Sequence, residues 1–356
     1  MSRSWTTPFR VSCVVVCLTV GACSSLPPSP YSDGVDAIVL VPGIEDRQPR
    51  FREIFCTILE ERGKDLPDVR PCDEALTRVN HVPAERRADV DLGRSDRGLV
   101  AVIAQGVGWD CFSGWLGITD SIADHLRRFG YDSMVVPVES LSSSERNAEL
   151  IRDTIVSLEP GGGEPRLVLI GYSKGAPDIL TAVVEYPEIR GRVAAVVSVA
   201  GAVEGSPVAD KVSQSKLELL RHWPKADCPK GDRGAMESLL PETRRAWLED
   251  NPLPGDLPYY SVATCPEPNR VSKVLKSSYK RMAKTDARND GMVLVVDQFI
   301  PGSSFLGCVN ADHWAVSVPV ARTRPKIAKR YVDHNDYPRE ALFEAILRFV
   351  EEDLAR

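Results

Sequence analysis

The run Gly171-Tyr172-Ser173-Lys174-Gly175 sets one serine between two glycines. It follows an apolar run of strand length, Leu167–Ile170, and it leads into a helical pattern over 174–186. In a strand–turn–helix of this kind the turn is so tight that its flanks must be small, and the hydroxyl is thrown above the sheet edge. The helix amino terminus beneath it favours developing negative charge. A serine hydroxyl is a weak nucleophile without a base. The chain has five histidines, His81, His125, His222, His313 and His334. His313, in Asn310-Ala311-Asp312-His313-Trp314, follows the predicted strands and precedes the last helix, so it is the predicted base, with His334 as its rival. The acid that orients the imidazole is predicted at Asp290, in Asn289-Asp290-Gly291-Met292-Val293. Asp286, Asp297 and Asp312 are its alternatives.

An oxyanion formed at such a serine needs backbone N–H donors. Lys174, directly after the serine, is predicted as one, and Val107, or else Gly108, as the other. Gly106 and Gly108 let backbone approach a substrate. With Trp109 and Tyr172 they are the predicted substrate contacts. Trp109, Phe112 and Trp115 either line an acyl pocket or belong to the core. Gly106-Val107-Gly108 fails as a dinucleotide fingerprint, because Cys111 stands where the third glycine belongs.

These residues need a scaffold. Apolar runs of strand length occur at 37–41, 99–104, 134–138, 167–170 and 193–199, and the sheet resumes at 258–264. Helical patterns near 114–129, 144–157 and 174–186 alternate with them. Strands apolar on both faces predict a mostly parallel sheet with helices on both sides, an α/β fold. A helix is predicted near 50–62 within an elaboration over 45–96. Residues 203–256, polar and with helices near 213–222 and 236–248, are predicted to form a cap or lid. Val271, Leu275, Tyr279 and Met282 recur at helical spacing, and Lys273, Lys276, Lys280 and Arg281 beside them face either solvent or anionic lipid. Leu342, Ile346, Phe349 and Val350 make a closing helical stripe after Pro338.

The 356 residues are 43% apolar and 26% charged, the composition of a folded chain rather than a disordered one. A net charge of −6, without an arginine-rich arm, argues against a nucleic-acid partner. Residues 1–22 read as an address, with Arg3 and Arg10 ahead of the apolar stretch 11–22. That stretch is shorter than the roughly 20 residues a spanning helix needs. Val20-Gly21-Ala22-Cys23 resembles a bacterial lipobox, which implies acylation of Cys23. Ser24 then implies an exported lipoprotein of the outer membrane, anchored through its lipid. A plain signal peptide cut after Ala22 is the alternative. Residues 23–35 read as a tether, 36–96 as an N-terminal strand and elaboration, and 97–356 as the main domain. Six further cysteines suit an oxidising compartment. The expected pairs are Cys56–Cys72, Cys228–Cys265 and Cys111–Cys308.

The order Ser173, Asp290, His313, the tight serine turn, the Gly106–Gly108 loop and the cap position together resemble the α/β-hydrolase superfamily. The Asn-Asp-Gly turn and the Asp-His-Trp loop are similar to those of bacterial lipases and esterases, and the resemblance spans about 97–354. It implies hydrolysis of carboxylic esters or lipid-like substrates through an acyl-enzyme, with no cofactor and no metal. Two residues depart from the pattern. Gln105 stands before Gly106 where many members have histidine, and Lys174 follows the serine where lipases commonly have histidine or glutamine. A cation there either favours an anionic substrate or projects into solvent. An acyltransferase with the same three residues, and a catalytically inactive envelope-binding protein, are the rival functions.

Overall fold

The computed structural model describes residues 29–31, 43–79, 89–116, 121–158, 166–212 and 228–356. The expected address at 1–22, Cys23, the strand at 37–41, the cap helix at 213–222, His81 and His222 lie outside the described residues.

Among the described residues eight strands form one sheet. They are β1 (Glu45–Asp46), β2 (Leu76–Thr77), β3 (Leu99–Ala104), β4 (Asp132–Val135), β5 (Arg166–Tyr172), β6 (Val193–Val199), β7 (Tyr259–Thr264) and β8 (Ser304–Val309). The order is β1-β8-β7-β6-β5-β3-β4, all pairs along it parallel, with β2 antiparallel to β8. Alternate residues face opposite layers. Ala101 and Ile103 of β3, with Val168 and Ile170 of β5, pack beneath helices Gln48–Arg62, Ser121–Arg128 and Arg339–Asp353. Val102 and Ala104, with Leu167 and Leu169, pack beneath Ser144–Ser157 and Gly175–Glu185. Both faces are buried, which is why these strands read as continuous apolar runs.

After β3 the chain moves outward to β4 and returns on the other side of β3 as β5. The loops leaving β3 and β5 therefore diverge at a topological switch point, where open α/β sheets bind ligands. Ala104 pairs with Gly171, so the Gln105–Gly108 loop starts beside the serine turn.

Several elements differ from expectation. The helix expected over 114–129 is two, Trp109–Leu116 and Ser121–Arg128. The helix expected over the 271–282 stripe starts only at Lys276, with Val271 and Leu275 buried ahead of it. β8 was not foreseen, because Gly307 and the two serines 303 and 304 break its apolar run. The elaboration supplies the helix Gln48–Arg62, whose Phe51 meets Phe349 of the last helix edge-on at 6.3 Å.

Two of the three expected disulfides are wrong. The bonds are Cys56–Cys72, Cys111–Cys228 and Cys265–Cys308, not Cys111–Cys308 or Cys228–Cys265. Strand register decides the third. Ala263 pairs with Cys308 across β7 and β8, which leaves Cys265 and Cys308 with Cα atoms 5.4 Å apart, a span a disulfide bridges. Cys228 instead ties the polar insertion to the helix that follows the Gly106–Gly108 loop.

Candidate active site

β5 ends at Tyr172 and the helix Gly175–Glu185 begins three residues later. Between them Ser173 holds φ at +55°, a left-handed conformation rare for a residue with a side chain. Three backbone hydrogen bonds keep it there: Ser173 N–H donates to Val199 O (3.3 Å), while Ala202 and Ala176 donate to Ser173 O (3.0 and 3.2 Å). The flanking glycines are steric requirements. A Cβ at Gly171 would fall on the Cα of Ala176, and one at Gly175 on the carbonyl oxygen of Ala104. Ser173 itself is half-buried, between neighbours that are fully enclosed.

His313 lies four residues beyond β8, and its Nε2 is 2.8 Å from Ser173 Oγ. Its Nδ1 is 2.7 Å from Asp290 Oδ2. Asp290 is buried and receives further donors. Met292 N (2.9 Å) and Val293 N (2.7 Å) donate to Oδ1, and Thr264 Oγ1 (2.5 Å) and Gln298 Nε2 (3.2 Å) to Oδ2. His313 N–H donates to the Asp290 carbonyl at 3.1 Å, fixing the two loops to each other. The other acids are used elsewhere. Asp286 pairs with Arg288 and Asp297 with Arg245, while Asp312 accepts from the backbone of Ser272, Trp314 and Ala315. Burial pushes the Asp312 carboxyl above its usual range. His334 lies 3.9 Å from Asp333 on the surface, and His125 bonds Glu344 on the far face.

Gly106 sits against the serine, since a Cβ there would lie 2.8 Å from Ser173 Cβ and 3.2 Å from its Oγ. Val107 follows, half-buried, and Gly108 takes φ +78°. Trp109 is half-buried at the start of the next helix, while Phe112 packs with Cys111 and Leu141. The Trp115 side chain lies outside the described residues.

Two expected roles change. Lys174 does not reach solvent. Its side chain is fully enclosed, and Nζ lies 2.6 and 2.9 Å from the two oxygens of Asp178, one helical turn on. Tyr172 is turned inward as well. It is 4% exposed, its hydroxyl donates to the His313 carbonyl at 2.7 Å, and its ring leans on the imidazole at 5.4 Å. Burial, with Asp290 and Asp312 nearby, pushes its phenol well above the usual range. Both changes have one cause: strand and helix pack face to face here, so side chains next to the serine turn inward.

Among solved structures, a metagenomic carboxyl esterase resembles this chain at 38% identity and a TM-score of 0.81, over 88% of this chain and 96% of its own. The chain belongs to the carboxyl esterases of the α/β-hydrolase superfamily. The mature Bacillus licheniformis lipase (TM-score 0.53, 15% identity, 72% of this chain and 94% of that one) shares the fold. So does the Staphylococcus hyicus lipase (0.52, 12%, 76% and 100%). No family model and no curated protein sequence matches the chain.

In this α/β-hydrolase, Thr264 and Gln298 are the site residues that sequence reasoning missed. Thr264 closes a predicted strand at the carboxyl edge of the sheet, where such residues face the site, and that position was the available signal. Gln298 had none, because only the folded 290–298 loop brings it back to Asp290.

Proposed function

We propose that this esterase cleaves carboxylic esters with Ser173 as nucleophile, His313 as general base and acid, and Asp290 as the group that orients the imidazole and stabilises its charged form. The supporting observation is the continuous chain of hydrogen bonds from Ser173 Oγ through both His313 nitrogens to Asp290, at 2.8 and 2.7 Å. Asp290 accepts the Nδ1 proton, so Nε2 is the lone-pair nitrogen that faces the serine. As Oγ attacks the carbonyl carbon, its proton passes to Nε2, and the carbonyl oxygen becomes an oxyanion. The N–H groups of Lys174 and Val107 are assigned to hold it. The first begins a helix and has no intrahelical acceptor, and the second follows the glycine that touches Ser173. Nε2–H then protonates the leaving alcohol. Water, deprotonated by the same nitrogen, attacks the acyl-enzyme and releases the acid and free Ser173.

The described parts of 203–256 fit a cap over this edge. Met236 and Leu240 pack against the same buried cluster as Val107, that of Ala202, Ala209, Leu239 and Val293, and Cys228 is bonded to Cys111. Export with acylation of Cys23 at the outer membrane completes the proposal. It is supported by Val20–Cys23 and by three disulfides, which suit an oxidising compartment. Labelled palmitate incorporated by the wild type and not by Cys23→Ala checks that part. For the chemistry, Ser173→Ala should lower ester turnover by about ten-thousand-fold or more and abolish labelling by a fluorophosphonate, with an unchanged melting temperature. Retained turnover would refute the assignment.

A further inference from the structure

The enzyme is acidic overall, with 50 carboxylate residues against 44 cationic ones, yet two stretches invert that balance. Residues 270–285 and 313–332 together hold eleven lysines and arginines and no Asp or Glu. They fold side by side as two short helices, Lys276–Met282 and Pro325–Tyr331, joined where Val274 N–H donates to Tyr331 O at 3.0 Å. We propose that this lobe docks on an anionic phospholipid bilayer.

Three observations carry the proposal. The first is charge. Lys280, Arg281, Lys284, Lys326, Lys329 and Arg330 are exposed, and none forms an ion pair with a carboxylate among the described residues. The carboxylates at the margin are already engaged, Asp333 by Lys273 and Asp286 by Arg288. The second is apolar surface. Among the described residues five large apolar side chains are exposed, and two of them, Val274 (41%) and Tyr331 (48%), stand together at the junction of these helices. An amphipathic tyrosine among long cationic side chains suits the headgroup boundary, where the ring buries its body and keeps its hydroxyl wet. A nucleic acid would gain nothing from Val274. The third is position. Trp314, next to His313, packs against the buried clusters of both stretches, Val271, Leu275 and Tyr279 on one and Val320, Ala328 and Val332 on the other. Leu275 lies against Gly291, where a Cβ would come within 3.0 Å, and Ser272 N–H donates to Asp312. The lobe is thus braced on the loops that carry His313 and Asp290, so a docked bilayer would lie beside the ester-cleaving edge.

Docking is read by sedimentation rather than by turnover, so this inference and the proposed chemistry fail independently. Full-length wild type is compared with Lys280→Gln/Arg281→Gln/Lys284→Gln on phosphatidylcholine vesicles with and without phosphatidylglycerol. The N-terminus is the same in both proteins, so its contribution cancels. Each cation near an anionic surface strengthens partitioning roughly fivefold, so the triple variant should lose on the order of 100-fold on phosphatidylglycerol vesicles. The loss should shrink as salt rises. Turnover of a short soluble ester should not change. Lys326→Gln/Lys329→Gln/Arg330→Gln should reproduce the loss from the other helix. Equal partitioning of wild type and both variants overturns the proposal, and so does wild-type binding to a DNA oligonucleotide in preference to the vesicles.

Discussion

Replacing Lys174 with methionine tests how the Ser173 turn is held. The ammonium group sits in an interior with no exposure, 2.6 and 2.9 Å from the two oxygens of Asp178. Asp178 is equally enclosed and has only two other donors, Ser144 Oγ and Asn147 Nδ2, each at 2.7 Å. Lys174→Met leaves that carboxylate buried with two neutral partners. Breaking a buried pair from one side costs about 3–5 kcal/mol. The two surviving hydrogen bonds place the cost near the lower end, about 3 kcal/mol. In a chain of this size that lowers the melting temperature by about 4 °C. Lys174→Met/Asp178→Asn removes both charges and keeps the shape, so it should recover most of the loss, because a buried pair exchanged for neutral groups is close to neutral. The assay is a thermal melt followed by circular dichroism on wild type, both single variants and the double variant, with ester turnover at a temperature where all are folded. The singles should also lose kcat more than they raise KM, since the backbone N–H assigned to the oxyanion belongs to Lys174 itself. Melting losses that simply add in the double variant would show the two charges to be independent and would refute the reasoning.

Gly106→Ala brings a methyl group to 2.8 Å from Ser173 Cβ, which neither backbone can avoid. A displacement approaching 1 Å at the reacting atom costs about 100-fold in kcat, and an unchanged kcat in steady-state kinetics would contradict the contact. Asp297 is 1% exposed, keeps one carboxylate oxygen without a partner, and burial raises it to about 6 from 3.8. Its folded form prefers the proton, so its contribution is complete below pH 3.8 and is lost as pH rises through about 6. Asp297→Asn should therefore melt with the wild type near pH 4 and be more stable at pH 8 by about 1–3 kcal/mol, and lower stability at pH 8 would reverse the sign.

What the sequence revealed depended on whether a property was local. The serine turn was legible because its glycines answer to atoms a few residues away, Ala176 and the strand partner Ala104. The strand–helix alternation was legible because a sheet buried on both faces leaves unbroken Val, Ile and Leu runs. The three residues expected as nucleophile, acid and base are joined in one chain, His313 bonding Asp290 at 2.7 Å and Ser173 at 2.8 Å. What failed was tertiary. A lysine beside a nucleophile suggests exposure, and only the packing of Gly175–Glu185 on Ser144–Ser157 supplies the Asp178, Ser144 and Asn147 cage. Cysteine pairing needed the β7–β8 register, which no spacing encodes. β8 stayed hidden because glycine and serine interrupt it, although its neighbours bury every residue but Ser304.

The disulfides partition the chain in a way that bears on its integrity. The Cys111–Cys228 bond closes a ring over a separation of 117 residues that contains Ser173, and Cys265–Cys308 closes one of 43 that contains Asp290. His313 belongs to neither. One peptide-bond scission inside either ring yields no separate fragment, so Ser173 and Asp290 each survive a cut as members of a single covalent molecule. A cut between the rings, over 229–264, has no such insurance and would let Ser173 drift apart from Asp290 and His313 once the sheet opens.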